Sequence, residues 1–330
     1  MSYLTLQRGM VLSHSIEDYP EGIVVVVDKP YRWTSADVIR KVKWMAVKHF
    51  RKKNLKVGHA GTLDPLATGV LLVCIGKATK LAESFQKAQK QYIAGVTFGA
   101  TTASYDREKE VDQLFPLEGV SEESLRKVLQ SFIGEQDQVA PLFSAKSVDG
   151  VRVYEIARKR YKAGLPVEDL GVLQASRINI YGLELLSYTA LADTPADPVR
   201  GCAAHPSQPA VGPLPLTDPR VDTPLSGSVC RPSGAFPSEP FSSEDGNDDR
   251  RLHPSNRINV AEVPEGLPQA DILVDCSKGT YIRALARDLG EALGSGAFLH
   301  SLRRTRNGGF SIEQALGIED LANIFGKESL

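Results

Sequence analysis

This 330-residue chain carries, from residue 58 to residue 69, the stretch Gly58-His59-Ala60-Gly61-Thr62-Leu63-Asp64-Pro65-Leu66-Ala67-Thr68-Gly69. Its three glycines allow backbone geometries that other residues avoid, and a proline fixes φ directly after its one carboxylate. The pattern predicts that Asp64 is held rigidly at a loop tip, as a nucleophile or an acid–base group needs. A purely structural turn is the alternative, since Asp before Pro is common turn chemistry.

Further blocks stand in order around this stretch. They are Gly22-Ile23 through Asp28-Lys29-Pro30, Lys90-Gln91-Tyr92, Pro141 through Lys146, Ser277-Lys278-Gly279-Thr280-Tyr281-Ile282-Arg283, and Leu302-Arg303-Arg304. Together the blocks resemble the TruB family of tRNA pseudouridine synthases over about residues 22–189 and 269–318. Gly58–Gly69 and Ser277–Arg283 are the most specific of them. The resemblance implies that Asp64 is the catalytic residue.

The hydrophobic pattern mixes helices with strands. Helices are predicted after Ser35 and Ser121, either of which can act as an N-cap, and from Ile282 to Leu293. Strands are predicted at Ile23–Val27, Leu71–Ile75, Tyr92–Phe98, Leu173–Ile180 and Ile272–Cys276. Because strands and helices do not strictly alternate, the pattern favours an α+β fold with a mixed or mostly antiparallel sheet. The resemblance implies the pseudouridine synthase fold, in which helices flank the sheet and the catalytic cleft is central.

The segment 190–268 differs in composition from the rest of the chain. It holds 14 of the 20 prolines and an acidic stretch, Glu244-Asp245-Gly246-Asn247-Asp248-Asp249. Such a segment buries too little apolar surface to offset its ordering entropy, so it is predicted to be a largely disordered insert between two paired strands. The predicted organisation is an N-terminal extension (1–21), a catalytic domain (22–318) that this insert interrupts, and a C-terminal tail (319–330). The PUA-type RNA-binding domain that often follows the catalytic domain in bacterial relatives is predicted to be absent.

Composition narrows the class of protein. Hydrophobic residues make up 42% of the chain and charged residues 24%, as in soluble globular proteins. No apolar run approaches the roughly 20 residues of a membrane helix, and residues 1–9 lack an apolar signal region. Four cysteines without CxxC spacing argue against a zinc or redox site and favour reduced thiols in the cytoplasm.

Positive charge is concentrated in two segments, although the net charge is −1. From residue 29 to residue 56 there are ten basic residues against one acid, Asp37, and from residue 278 to residue 306 there are six against Asp288 and Glu291. Such runs are often only solvated faces. Because both flank candidate catalytic blocks, they favour a surface for a polyanion such as RNA.

Three residues are predicted to be catalytic. Pseudouridine formation breaks the C1′–N1 bond of uridine, turns the base and joins C1′ to C5, and it needs no metal, cofactor or group donor. Asp64 would be the nucleophile, which requires an ionised carboxylate and therefore a nearby cation. By resemblance, Arg283 is that partner and Tyr92 stacks on the flipped uracil. An ordinary core aromatic is the alternative for Tyr92, which alternates with apolar residues on a predicted strand.

Other residues are predicted to bind the substrate. By resemblance, His59 contacts the RNA loop, Lys29 lies near the active site, and Tyr281 belongs to the block of Arg283. Leu142, Phe143 and Lys146 are predicted to line the cleft with Tyr154, although the two apolar residues could equally be core. Asp106 fits an acidic family position, but Ala103 stands where a second carboxylate is often found, which leaves the role of Asp106 open.

The predicted function is the isomerisation of uridine 55 in the TΨC loop of tRNA. The position comes from the resemblance, and base flipping follows from the chemistry, because C1′ and C5 must both face one carboxylate. The predicted partner is the tRNA T arm, with no membrane and no obligate protein partner. A synthase acting on another tRNA or ribosomal RNA site is one alternative. A tRNA-folding helper without catalysis is another, against which the set of Asp64, Tyr92 and Arg283 argues.

Overall fold

Strands dominate the computed structural model, which describes residues 3–143, 147–148, 151–152, 157, 159–160, 163, 174–190, 258 and 260–326. In these residues the strands are β1 (Leu4–Thr5), β2 (Ile23–Lys29), β3 (Val57–His59), β4 (Thr68–Ile75), β5 (Lys90–Phe98), β6 (Ala100–Thr102), β7 (Val111–Leu114), β8 (Gly134–Gln138), β9 (Ser147–Val148), β10 (Val151–Arg152), β11 (Ser176–Thr189), β12 (Gln269–Cys276), β13 (Ala297–Asn307) and β14 (Phe310–Ser311). The α-helices are α1 (Ser35–Phe50), α2 (Ala82–Lys87), α3 (Glu122–Ser131), α4 (Ile282–Ala292) and α5 (Ile318–Gly326). Residues 1–193 and 251–330 form one unit; a second unit, 194–250, lies outside the described residues.

One large sheet organises the fold. Its strands lie in the order β1-β2-β4-β13-β5-β12-β11-β8, with β3 and β14 pairing at the side of β4 and β13. The pairs β1–β2 and β4–β13 are parallel, and the other pairs of this sheet are antiparallel. The predicted α+β fold with a mixed, mostly antiparallel sheet is therefore confirmed.

A strand that the sequence pattern did not predict lies at the centre of the sheet. β13 pairs with β4 through Arg303 and Arg304, and along its length with β5. It joins β1-β2-β4 on one side to β5-β12-β11-β8 on the other. Arg304 is one of the largest fully buried side chains. A cationic residue therefore occupies a core position, which the sequence pattern does not reveal.

Helix α1 connects the core to the candidate site. Val38, Val42 and Met45 are buried on its inner face, as the periodicity predicts. Its N-cap, however, is Thr34 and not Ser35, because the Thr34 side chain accepts from the backbone N–H of Asp37 in a capping box. Ser35 is the first helical residue, and its hydroxyl is thereby directed to the loop of Asp64.

Both chain ends that the structure describes pack on this core. In the segment predicted as an N-terminal extension, β1 pairs with β2, and Leu6, Leu12 and Ile16 are buried. Helix α5 begins inside the predicted catalytic domain and continues into the predicted tail. Its inner residues Leu321, Ile324 and Phe325 belong to the main core.

The end of the predicted insert also differs from a disordered segment. The carbonyl of Pro268 accepts from the N–H of Phe98, and Ala261 exchanges two hydrogen bonds with Arg107, one to its backbone and one to its side chain. Residues 260–268 thus lie against the sheet because their backbone groups find partners there. The prediction for residues 191–257 lies outside the described residues. Within the part of the chain that is described, no helix combines the length and the apolar character needed to span a bilayer.

Candidate active site

The loop that carries Asp64 joins β3 to β4 and is anchored on both sides of that residue. Just before it, Leu63 exchanges two hydrogen bonds with the hydroxyl of Ser35, at 2.9 and 3.1 Å. Just after it, the carbonyl of Pro65 accepts from Nζ of Lys29 at 3.1 Å. The backbone N–H of Ala67 closes the turn on the carbonyl of Asp64. These contacts hold the carboxylate at a defined place.

β13 supports the same loop from the sheet. Arg304 donates from Nε to the carbonyl of Val70 at 2.7 Å and from Nη2 to that of Gly61 at 3.3 Å. The side chain of Asn307 donates to the carbonyl of Ala60 at 3.3 Å. Because Arg304 is buried, its guanidinium is a structural cross-link between β13 and the loop.

Gly69 is where this cross-link requires glycine. Its φ is +98°, and a Cβ there would lie 2.2 Å from the carbonyl oxygen of Arg304. We expect Gly69→Ala to lower the free energy of unfolding by about 2–4 kcal/mol, since backbone strain and a clash with fixed backbone add. Urea unfolding measures the change. Gly58→Ala is the matched control in the same motif, because nothing lies within 4 Å of its would-be Cβ. Equal losses of unfolding free energy in the two variants would contradict the conclusion that residue 69 has to be glycine.

Arg283 meets Asp64 directly, as predicted. Its Nε donates to Oδ2 of Asp64 at 2.8 Å; Arg283 itself is buried, whereas the Asp64 side chain is 39% exposed. Its two terminal nitrogens donate to the carbonyls of Ser104, at 3.0 Å, and Phe143, at 2.9 Å. Burial alone would lower the pKa of Arg283, but Asp64 and Asp106 raise it overall. The cation therefore stays charged beside an accessible carboxylate.

Asp106 is a second carboxylate on the same guanidinium. Its Oδ2 lies 3.6 Å from Nε of Arg283, and its Oδ1 accepts from the hydroxyl of Ser104 at 2.6 Å and from the N–H of Glu108 at 2.9 Å. Burial raises the pKa of Asp106, and Arg283 opposes that shift. The sequence left its role open; the structure makes it a buried partner of Arg283.

A narrow cleft opens at the Asp64–Arg283 pair. It is lined by Asp64, Leu66, Ala67, Asp106, Arg283, Leu299, His300, Ser301 and Leu302. His300 comes from a bulge of β13, where Leu299 pairs with Val96 and Ser301 with Gly95. Its Nδ1 is hydrogen-bonded to the hydroxyl of Thr97 at 3.0 Å, and burial lowers its pKa. The sequence pattern gave no signal for this residue, because a bulge depends on strand pairing.

Tyr92 lies in the core next to the site. It pairs across β5 and β13 with Arg304, and only 8% of it is exposed. Burial raises the pKa of its hydroxyl, while the charge of Arg304 opposes the shift and that of Asp64 adds to it. Tyr92 is not among the described residues that line the cleft. In this structure the ring of Tyr92 is therefore covered by the core.

Lys29 is not accessible to a substrate. It is fully buried, and its ammonium donates to the carbonyls of Pro30, Trp33 and Pro65. Burial lowers its pKa to about 7, against the attraction of Asp64. In this structure the ammonium group of Lys29 holds the loop of Asp64 in place, and a role of Lys29 in substrate binding stays a prediction. A lysine before a proline at a strand end gives no sequence signal of such burial.

The remaining predicted binding residues lie on two sides of the site. His59 is half-buried, with no hydrogen-bond partner at its Nδ1, and burial lowers its pKa. Leu142 and Phe143 are buried in a small apolar cluster against which Tyr281 packs. Phe143 also touches the site through its carbonyl, which binds Arg283. Lys146 and Tyr154 lie outside the described residues.

Among the described residues, no cluster of His, Cys, Asp and Glu is arranged to hold a metal ion.

Comparison with known families gives two matches. Residues 48–192 match the model described as TruB family pseudouridylate synthase (N terminal domain), and residues 283–329 match the tRNA pseudouridylate synthase B C-terminal domain. The latter match spans α4, β13 and α5, and so includes Arg283 and the strand that supports the loop of Asp64.

Curated relatives match over nearly their whole length. The chain is 38% identical over 302 residues to tRNA pseudouridine synthase B of Phocaeicola vulgatus, covering 92% of each chain. It is 38% identical over 299 residues to the protein of that name from Bacteroides fragilis, covering 91% of this chain and 92% of the relative. It is 35% identical over 304 residues to tRNA pseudouridine synthase B of Parabacteroides distasonis, covering 92% of this chain and 93% of the relative.

A solved structure supports the fold alone. A chain of the Cbf5–Nop10–Gar1 complex superposes with a TM-score of 0.51 at 22% identity, covering 93% of this chain and 56% of that one. The present chain thus spans a little over half the length of that solved chain.

Proposed function

Since the chain belongs to the TruB family of pseudouridylate synthases, we propose that it isomerises uridine 55 in the T arm of tRNA with Asp64 as the catalytic carboxylate. That it is a tRNA pseudouridine synthase, an isomerase, follows from the family and from the relatives of that name. The observation that carries the residue assignment is the 2.8 Å contact of Asp64 with Arg283 at the cleft.

The chemistry explains why this contact matters. The C1′–N1 bond must break, and C1′ must rejoin the base at C5 while the base stays bound. Asp64 would act at the sugar, either attacking C1′ or removing a proton to form a glycal, and both routes need an ionised carboxylate. Arg283 favours that ionised form and fixes the direction of the carboxylate, so less reorganisation is needed during the reaction.

The lining around Asp64 is apolar, and the cleft has to widen to admit a flipped base. Leu66, Ala67, Leu299 and Leu302 provide apolar walls around the carboxylate. We assign to His59, which is half-buried, a contact with the RNA loop. Tyr92 is assigned a contact with the uracil that forms once the residues covering its ring move aside on RNA binding. Leu142, Phe143 and Tyr281 form a small apolar cluster beside Arg283, which binds the carbonyl of Phe143.

The reaction is tested by tritium release from tRNA labelled at C5 of uridine, since the C5 hydrogen is lost when C5 joins C1′. The full chain should release tritium from labelled tRNA, and a transcript with cytidine at position 55 should give none. Absence of release from the first transcript, or equal release from both, would overturn the proposal.

The predicted cytoplasmic location stays a prediction; Cys74 and Cys276 are free and buried, in agreement with reduced thiols.

The tRNA itself is proposed to be held partly by the basic segment that follows α1. Lys52, Lys53 and Lys56 are exposed there, and Lys52 forms a 2.6 Å ion pair with the exposed Glu17. Such an exposed pair is weak and leaves the ammonium available to a phosphate.

Replacing Lys52, Lys53 and Lys56 by Gln should weaken tRNA binding and flatten its salt dependence. Each lost phosphate contact lowers the slope of log K against log salt by about 0.7–0.9. Filter binding at several salt concentrations measures the slope. The matched control replaces Lys87, Arg126 and Lys127, which are exposed and ion-paired on α2 and α3. A slope that does not change in the first variant, or that changes equally in both, would show that the segment is only a solvated face.

A further inference from the structure

The outer face of α1 carries an exposed tryptophan between two lysines. Trp44 is 55% exposed, although Trp is usually well buried. Nζ of Lys41 lies 5.3 Å from the centre of its ring, and Nζ of Lys48 lies 5.7 Å from it. These are cation–π distances, so the ring and the two ammonium groups form one local structure.

This structure belongs to a longer cationic stripe. Arg40, Lys41, Lys48 and Arg51 stand at i−4, i−3, i+4 and i+7 from Trp44, which places them along one side of the helix. From Arg40 to Arg51 the stripe is about 16 Å long. The one acid in this part of the sequence, Asp37, precedes the stripe and pairs with Arg40.

Packing of the helix does not need Trp44. The core face of α1 is supplied by Val38, Val42, Met45 and Ala46, all of which are buried. Trp44 stands on the opposite side, where a polar residue would satisfy the amphipathic pattern. An exposed aromatic among cations is instead what proteins use to bind single-stranded nucleic acid, since bases stack on the ring and phosphates pair with the cations.

We infer that Trp44 is a stacking platform for an unpaired nucleotide of the tRNA substrate, held outside the catalytic cleft. The inference rests on the tRNA pseudouridylation proposed above and adds a second contact with the same RNA. A base that stacks on the ring displaces the ammonium group of Lys48, which then pairs with a neighbouring phosphate. A protein partner fits less well, because its surface would have to combine acidic residues, to pair with the stripe, with an apolar pocket for the ring of Trp44.

The position of the platform suits one RNA that also occupies the cleft. Helix α1 begins at Ser35, whose hydroxyl binds Leu63 beside Asp64. Trp44 stands nine residues further on, about 13 Å along the axis. Nine positions are about two and a half turns, so Trp44 also lies on the side of α1 opposite Ser35, and a strand that reaches both has to pass around the helix over a longer path than this rise. The platform therefore grips the substrate away from the reacting base.

Trp44→Ala should raise KM and Kd for tRNA about tenfold, or roughly 1.4 kcal/mol, with kcat unchanged at saturating tRNA. Trp44→Phe should keep most of the affinity, since a smaller ring still stacks. Tyr181→Ala is the matched control, because Tyr181 is 51% exposed on β11. An unchanged KM in Trp44→Ala, or an equal rise in Tyr181→Ala, would overturn the inference.

Fluorescence gives a direct second readout. The chain has two tryptophans, and the other one, Trp33, is buried. Titrating tRNA into the full chain should quench the exposed Trp44 and protect it from acrylamide, whereas the Trp44→Phe variant should show neither change. Absence of tritium release by the wild type would instead refute the proposed reaction. Failure of the proposed reaction and failure of the stacking platform are therefore distinguishable. Binding and turnover without any change in Trp44 emission would refute the platform alone.

Discussion

Asp64→Asn is expected to abolish tritium release while tRNA affinity stays within about tenfold of the wild type, or roughly 1.4 kcal/mol. Asn keeps the shape of the side chain but can act neither as a nucleophile nor as a base. The fold should survive the change, because Arg283 keeps a second carboxylate, Asp106, at 3.6 Å. Single-turnover assays at saturating enzyme, together with binding assays on the same variant, separate chemistry from affinity.

Asp28→Asn is the matched control for that experiment. The Asp28 side chain is 35% exposed, against 39% for Asp64, and it likewise pairs with an arginine, Arg303, at 2.9 Å. It does not line the cleft among the described residues. Turnover of Asp28→Asn within a few-fold of the wild type is therefore expected. Substantial turnover by Asp64→Asn would remove Asp64 from the mechanism.

Arg283→Ala is expected to lower kcat/KM at least about 100-fold, and Arg283→Lys should not restore it. The guanidinium donates in three directions, to Asp64 and to the carbonyls of Ser104 and Phe143. A lysine ammonium is a point charge without this planar fork, so it cannot hold all three partners in place. Alanine leaves Asp64 without its hydrogen bond and Asp106 without a cation.

Stability has to be measured with this variant, since loss of one partner from a buried ion pair costs about 3–5 kcal/mol. The activity of the folded fraction is therefore the quantity to compare. Arg287→Ala is the control one turn further along α4, because Arg287 pairs with Asp288 and contacts no carboxylate of the cleft. Near-native turnover by folded Arg283→Ala would contradict the proposed ion pair.

The sequence predicted the class of fold and the central pair, but through different signals. Periodicity predicted β2, β4, β5 and β12 because these strands carry regular apolar residues. Asp64 and Arg283 are separated by 219 positions, so no local pattern joins them. Only the ordered motifs indicated that they meet, which the structure bears out in their 2.8 Å contact.

Other features depend on tertiary contacts that a sequence pattern does not report. Lys29 reads as an exposed lysine, yet three carbonyls bind its buried ammonium. His300 reaches the cleft through a bulge, and bulges follow from strand pairing. β13 was not predicted as a strand because its arginines suggest a surface, whereas Arg304 is buried against the loop of Asp64. In each case a charged or polar residue has a partner on a segment distant in sequence: Pro65 for Lys29, Thr97 for His300 and Val70 for Arg304.

The place of β13 in the sheet bears on how the chain is made. β1-β2-β4 and β5-β12-β11-β8 are joined in the sheet through β13, which begins at Ala297, whereas β5 ends at Phe98. About 200 residues, or roughly 10–40 s of ribosomal synthesis, separate the two strands. During that interval β4 and β5 lack the neighbour that covers their edges, and unpaired apolar edges are templates for aggregation. The growing chain, more than the finished enzyme, is therefore the species that a chaperone has to protect.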